Sequence, residues 1–125
     1  MKLALIGIFG VLGIYSRYFI DLTFQSQENS FPTATLIANS LGCLIIGILS
    51  GLIAQKTQSI YVKPLMIGFC GGLTTFSSYS LQILNLFTLE QTLKATLYFI
   101  ISPILGLSFV ILGYFLTNQT LLTQN

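Results

Sequence analysis

Four apolar runs, each about the length of a membrane-spanning helix, fill most of this 125-residue chain and leave its few charges between them or near their ends. A helix needs roughly 20 mostly apolar residues to cross the hydrocarbon of a bilayer. Runs over about residues 3–22, 33–54, 64–87 and 93–116 meet that length. Pro32 suits a helix start before the second. Thr88-Leu89-Glu90-Gln91 reads as a capping box before the fourth. Only 6% of the residues are charged and 54% are hydrophobic, whereas a soluble domain is about a quarter charged. A soluble fold this small cannot hide so much apolar surface, because small domains keep much of it wet. The expected fold is an all-α membrane protein: one four-span domain over residues 1–125, short polar loops, and both termini on the same side. The opening MKLALIGIFGVLGIYS has the Lys and apolar stretch of a signal peptide. The run continues through Phe19 and Ile20 without a small-residue cleavage site, so it reads as the first span.

The same composition removes function classes. A net charge of +2 with no basic stripe argues against nucleic acid. There is no His, so imidazole catalysis and imidazole metal ligation are excluded. With three acids, no nucleophile–base pair can be assembled, so the chain does not read as an enzyme. Asp21, Glu28 and Glu90 sit at run ends or in loops. No carboxylate stands at mid-membrane, where proton-driven exporters use one, and a passive pathway fits better. Cys43 and Cys70 sit inside apolar runs without zinc-ligand spacing and read as packing rather than as a disulfide. With the N-terminus inside, Lys2, Lys56 and Lys63 oppose Arg17 and Lys94, three against two. A clear excess is needed to fix orientation, so the chain has almost no topological bias.

The third run carries the densest polar signal. Gly71-Gly72-Leu73-Thr74-Thr75-Phe76-Ser77-Ser78-Tyr79 makes a poor helix centre, with two glycines followed by β-branched and hydroxyl residues. A break in hydrocarbon must face protein, water or an ion, and carbonyls freed at such a break coordinate cations in discontinuous helices. The alternative is a Gly-rich packing face whose threonines bond back to their own helix. Asn39 lies roughly 9 Å into the second run and is either a donor to an anion or an interhelical hydrogen bond. Phe76 and Tyr79, three apart, share a face; they either pack or present positive ring edges to an anion. Tyr98 and Ser102 form a polar stripe in the fourth run, beside Pro103, which is expected to kink it. Arg17 snorkels, pairs with Asp21, or draws anions into a vestibule. Gly7, Gly10 and Gly13, and the pairs Gly47/Gly51, Gly68/Gly72 and Ser102/Gly106, are small-residue faces that read as bundle packing.

The run Gly71-Gly72-Leu73-Thr74-Thr75-Phe76-Ser77 resembles the third-span signature of the Fluc (CrcB) family of bacterial fluoride channels. The resemblance extends over the whole chain, through its length, four runs, the late Arg17 and Asn39-Ser40-Leu41-Gly42. It implies a passive fluoride-specific channel in the bacterial inner membrane that relieves fluoride toxicity. It implies an antiparallel, dual-topology homodimer, with the third helix broken mid-membrane and two pores built from both subunits. It implies a structural sodium ion, not transported, on the backbone carbonyls of Gly71 and Thr74. Asn39 and Phe76 would meet fluoride; Thr75, Ser77, Ser78, Tyr98 and Ser102 are further pore-lining candidates. The departure is Tyr79, where the family usually has a second Phe, so its ring site is the position put in question. Two other readings remain: a small dual-topology multidrug exporter, which would need a carboxylate where Ile8, Phe9, Gly10 and Val11 stand, and an assembly subunit without transport of its own.

Overall fold

The computed structural model describes residues 1–24, 30–56 and 59–122. Glu28 and the middle of the expected 55–63 loop lie outside the described residues. Among those described, all regular structure is helical. Helices α1 (Lys2–Thr23), α2 (Thr33–Ala54) and α5 (Thr92–Leu122) are continuous. Each contains a stretch long and apolar enough to cross a membrane, and the chain is a multi-pass membrane protein.

The 64–87 run is two half-helices. The first, α3 (62–73), opens at Val62–Pro64, widens into a π-helical stretch at Leu65–Cys70 and closes at Gly71–Leu73. The second is α4 (Phe76–Thr88). Between them Thr74 (φ −85°, ψ 154°) and Thr75 (φ −151°, ψ 116°) are extended. At 1.5 Å per residue neither half reaches across the hydrocarbon alone.

Two expectations are corrected. Thr88-Leu89-Glu90-Gln91 does not cap α5. Thr88 ends α4 with its hydroxyl on the Asn85 carbonyl (2.9 Å), and Glu90 takes a left-handed φ of 59°. The Gln91 N–H then donates to the Leu86 carbonyl (2.9 Å) and the Glu90 N–H to the Phe87 carbonyl (3.0 Å). That paired closure terminates a helix, and the Thr88 hydroxyl serves α4 rather than the start of α5. The last helix also outruns its expected end near residue 116, continuing to Leu122.

Glycine seams set the packing. A side chain on Gly13 would strike the Phe69 carbonyl, and one on Gly68 the Ile6 carbonyl, so α1 lies backbone-to-backbone on α3. On the other side, Gly47 meets the Val110 carbonyl and Gly113 meets the Leu44 carbonyl, joining α2 to α5. Lipid supplies no hydrophobic drive between helices, so such close approach carries the association. In the Ser102/Gly106 pair, Gly106 lies close against Cys43 of α2, and both residues line a groove described below. Outward positions are apolar, as at Phe19, 70% exposed on α1, where lipid is the solvent. Two buried clusters flank the break. Leu49, Val62 and Cys70 lie on the α3 side, and Tyr79, Leu86, Ala95 and Tyr98 on the α4 side.

Gly113→Ala should lower stability by about 1–3 kcal/mol, as overpacking does in tight interiors. Gly7→Ala, with nothing within 4 Å of the added carbon, should not. Thermal unfolding of the purified protein in detergent measures both.

Candidate functional site

The break is built by three side chains. Asn39 of α2 accepts from the Thr75 N–H through Oδ1 (2.7 Å) and donates from Nδ2 to the Thr75 carbonyl (3.2 Å). Thr75 caps α4, its Oγ1 accepting from the Ser78 N–H (3.1 Å). Its hydroxyl also meets Ser77 Oγ and Ser78 Oγ, each at 3.1 Å. Thr74 turns its own hydroxyl back onto the Cys70 carbonyl (2.8 Å).

These bonds redirect two helical donors. In an unbroken helix the Thr75 N–H would close on the Gly71 carbonyl and the Ser78 N–H on the Thr74 carbonyl. The first now goes to Asn39 and the second to the Thr75 hydroxyl. Gly71 and Thr74 therefore both lose their helical donors, and they are the two carbonyls expected from the resemblance. Gly71 is exposed, and nothing lies within 4 Å of where its side chain would be. No contact among the described residues requires glycine there.

A groove of about 660 Å³ runs past this point. Asn39, Gly71, Thr74, Thr75, Phe76, Tyr79 and Ser102 all line it, and among the described residues no charged side chain does. Phe76 is 79% exposed, while the rings stack inward from it. Phe76 to Tyr79 is 5.6 Å between centroids, Tyr79 to Tyr98 5.1 Å, and Tyr98 to Phe31 5.3 Å.

The remaining expected site residues are placed differently. Ser77 and Ser78 hold Thr75 rather than line the groove. Tyr98 is wholly buried behind Tyr79, its hydroxyl donating to Gln82 Oε1 (3.0 Å). Gln82 Nε2 in turn donates to Thr35 Oγ1 (2.8 Å), so a polar chain links α5, α4 and α2. Arg17 is half-buried on α1 and away from the groove lining. Gln82 and Thr35 were missed in the sequence, although a polar side chain inside an apolar run is itself the signal for such a pair.

Tyr79 has a structural reason. Pro103 lies inside α5 and has no N–H to give the Phe99 carbonyl one turn back. The Tyr79 hydroxyl donates to that carbonyl at 2.9 Å. The phenol supplies the hydrogen bond that the proline withholds, which a Phe could not do.

Replacing Asn39 by Ala would leave the Thr75 N–H and carbonyl without these partners, at about 1–3 kcal/mol for each unpaired group. The Thr75 amide should then exchange with deuterium about tenfold faster or more, read by mass spectrometry of the protein in detergent. Unchanged exchange would show that the break holds without Asn39.

Comparison with known proteins places this geometry in a family. The CrcB-like protein, Camphor Resistance (CrcB) family profile matches residues 4–114. A protein of Francisella philomiragia named fluoride-specific ion channel FluC is 40% identical, over 92% of this chain and 93% of its own. One of Azobacteroides pseudotrichonymphae with the same name is 40% identical, over 94% of this chain and 96% of its own. Fluoride-specific ion channel FluC 2 of Rhodococcus jostii is 36% identical over 94% of this chain and its own full length. A profile over residues 4–114 and relatives matched over more than nine-tenths of the chain make it a member of the CrcB (FluC) family.

Proposed function

We propose that this chain is a fluoride-specific channel, not an enzyme, through which cytoplasmic fluoride leaves passively across the bacterial inner membrane. The observation that carries the reading is the convergence of Asn39, Thr75, Phe76, Tyr79 and Ser102 on one uncharged groove beside the break. Relatives named as fluoride channels, matched over more than nine-tenths of the chain, support the choice of ion. A small anion gives up costly water on entering a narrow path, and the lining must replace it with donors and positive ring edges. The Asn39 amide has a second N–H beyond the one on Thr75. Phe76 offers an exposed ring edge, and the N-terminal turn of α4 adds a dipole that favours negative charge. A lining without a fixed cation lets the ion leave again. Asp21 and Glu90 sit at helix ends, which favours passive flow over the multidrug-exporter reading.

The functional unit in this reading is an antiparallel homodimer of two oppositely inserted copies, with four spans in each and the 62–88 stretch crossing as two halves broken at mid-membrane. The near-tie in flanking charge permits insertion both ways. Gly71, unexplained by its own chain, fits the close approach of a second copy. A sodium ion between the copies fits the residues present, because Gly71 and Thr74 would offer it carbonyl oxygens whose helical donors are diverted. Bound there, it would supply a fixed positive charge that holds the two breaks together, and it would not be transported. Asn39 and Thr75 hold the carbonyls in place by satisfying the rest of the break.

Purified protein in liposomes should release fluoride down its gradient and retain chloride. Equal release of both, or of neither, would overturn the reading. Tyr79→Phe should still conduct, because its hydroxyl is spent on Phe99. Its stability in detergent should fall by about 1 kcal/mol, the net value of one hydrogen bond. Loss of fluoride efflux in a folded Tyr79→Phe protein would mean that the hydroxyl serves the ion.

A further inference from the structure

The sequence contains two cysteines and two methionines, one of the latter being Met1. The three internal sulfur-bearing residues, Cys43, Cys70 and Met66, all line the same groove. Helices α2 and α3 run antiparallel in a register fixed by their contacts. Asn39 meets Thr75, Gly42 faces Leu73 and Thr74, and Ile45 and Ile46 pack against the cluster that contains Cys70. In that register Cys70 stands level with Ile45 and Ile46, and Cys43 lies about one turn from Ile46 on the α2 face that also brings Asn39 and Gly42 to the groove. The two cysteines thus face one groove from adjoining helices, about one turn apart along the seam. Both are free, Cys70 2% exposed and Cys43 half-buried. Cys43 Sγ also faces Gly106 of α5, whose missing side chain keeps the groove open beside it.

Sulfur donors select soft metal ions, while hard ions prefer oxygen. The groove offers no charged side chain, so a complex held there is favoured when it is neutral overall. A divalent ion joined to two thiolates meets that condition, and a monovalent one leaves a net negative charge. We propose that Cys43 and Cys70 form a two-sulfur site for a soft, two-coordinate divalent metal ion, for which Hg2+ is the probe. On binding, two S–H bonds break, two S–Hg bonds form and two protons pass to water, with no change of oxidation state. Met66, one turn before Cys70, adds a weak thioether contact on the same wall. The site is independent of which anion the protein conducts. Its occupation ties α2 to α3 within one turn of the Thr74–Thr75 break.

Thiol titration of the full-length protein in detergent tests this. Free thiols are counted by intact mass after maleimide labelling. One equivalent of Hg2+ per chain should remove both thiols, and the metal should survive a wash with excess monothiol. In Cys43→Ser and in Cys70→Ser, one equivalent should remove the single remaining thiol, and the same wash should restore it. Met66→Leu should keep the one-to-two stoichiometry. Three results would each overturn the proposal: two equivalents needed to remove both thiols, thiols of the folded protein that do not react, or metal that links two chains rather than two cysteines of one. Size-exclusion profiles of the variants confirm that folded protein is being titrated.

Discussion

The clasp between the Asn39 amide and the Thr75 peptide is the interaction on which the site depends. A peptide group without a partner in hydrocarbon costs several kcal/mol, and the chain leaves helical geometry at Thr74 and Thr75. Asn39 answers both backbone polar atoms of Thr75 from a neighbouring helix. Because it takes the Thr75 N–H, the Gly71 carbonyl is released. Because Thr75 then caps α4 with its hydroxyl, the Thr74 carbonyl is released as well. One amide and one hydroxyl thus convert four residues of poor helix former into a fixed opening in the main chain.

A second irregularity is repaired in a similar way. Pro103 leaves the Phe99 carbonyl without its helical donor, and Tyr79 supplies one from α4. Tyr79 therefore has two roles of different origin. Its ring stands between Phe76 and Tyr98 in an aromatic row, and its hydroxyl joins α4 to α5. The buried Tyr98–Gln82–Thr35 chain ties the same half-helix to α2 as well. The lower half of the third stretch is held by hydrogen bonds to its neighbours, whereas the upper half is held by glycine contacts with α1. The groove runs along the junction between these two kinds of packing.

Much of the architecture could be read from the residues. The apolar runs marked the first two continuous helices to within a residue at each end and the start of the third, whose apolar spanning stretch stops well before the helix does, since length and hydropathy are what a bilayer demands. Gly71-Gly72 followed by Thr74-Thr75 marked the place where the third run parts, because glycine and β-branched residues together disfavour helix. The Gly47/Gly51 and Gly68/Gly72 faces were legible as packing. The Thr88–Gln91 motif misled because a capping box and a helix-terminating turn use overlapping polar residues; the left-handed φ of Glu90 decides between them and leaves no mark in the sequence.

What the sequence by itself determined is the set of parts: membrane-crossing lengths, a weak point in the third run, and a short list of polar residues able to work in lipid. Periodicity and propensity are local, so they act before the chain meets itself. Which of those residues share a surface was decided only by tertiary structure, because it depends on how helices distant in sequence are turned. That rotation put Asn39 on a peptide 36 residues away, turned Tyr98 inward to Gln82, left Phe76 open, and brought Ser102 and both cysteines to one groove.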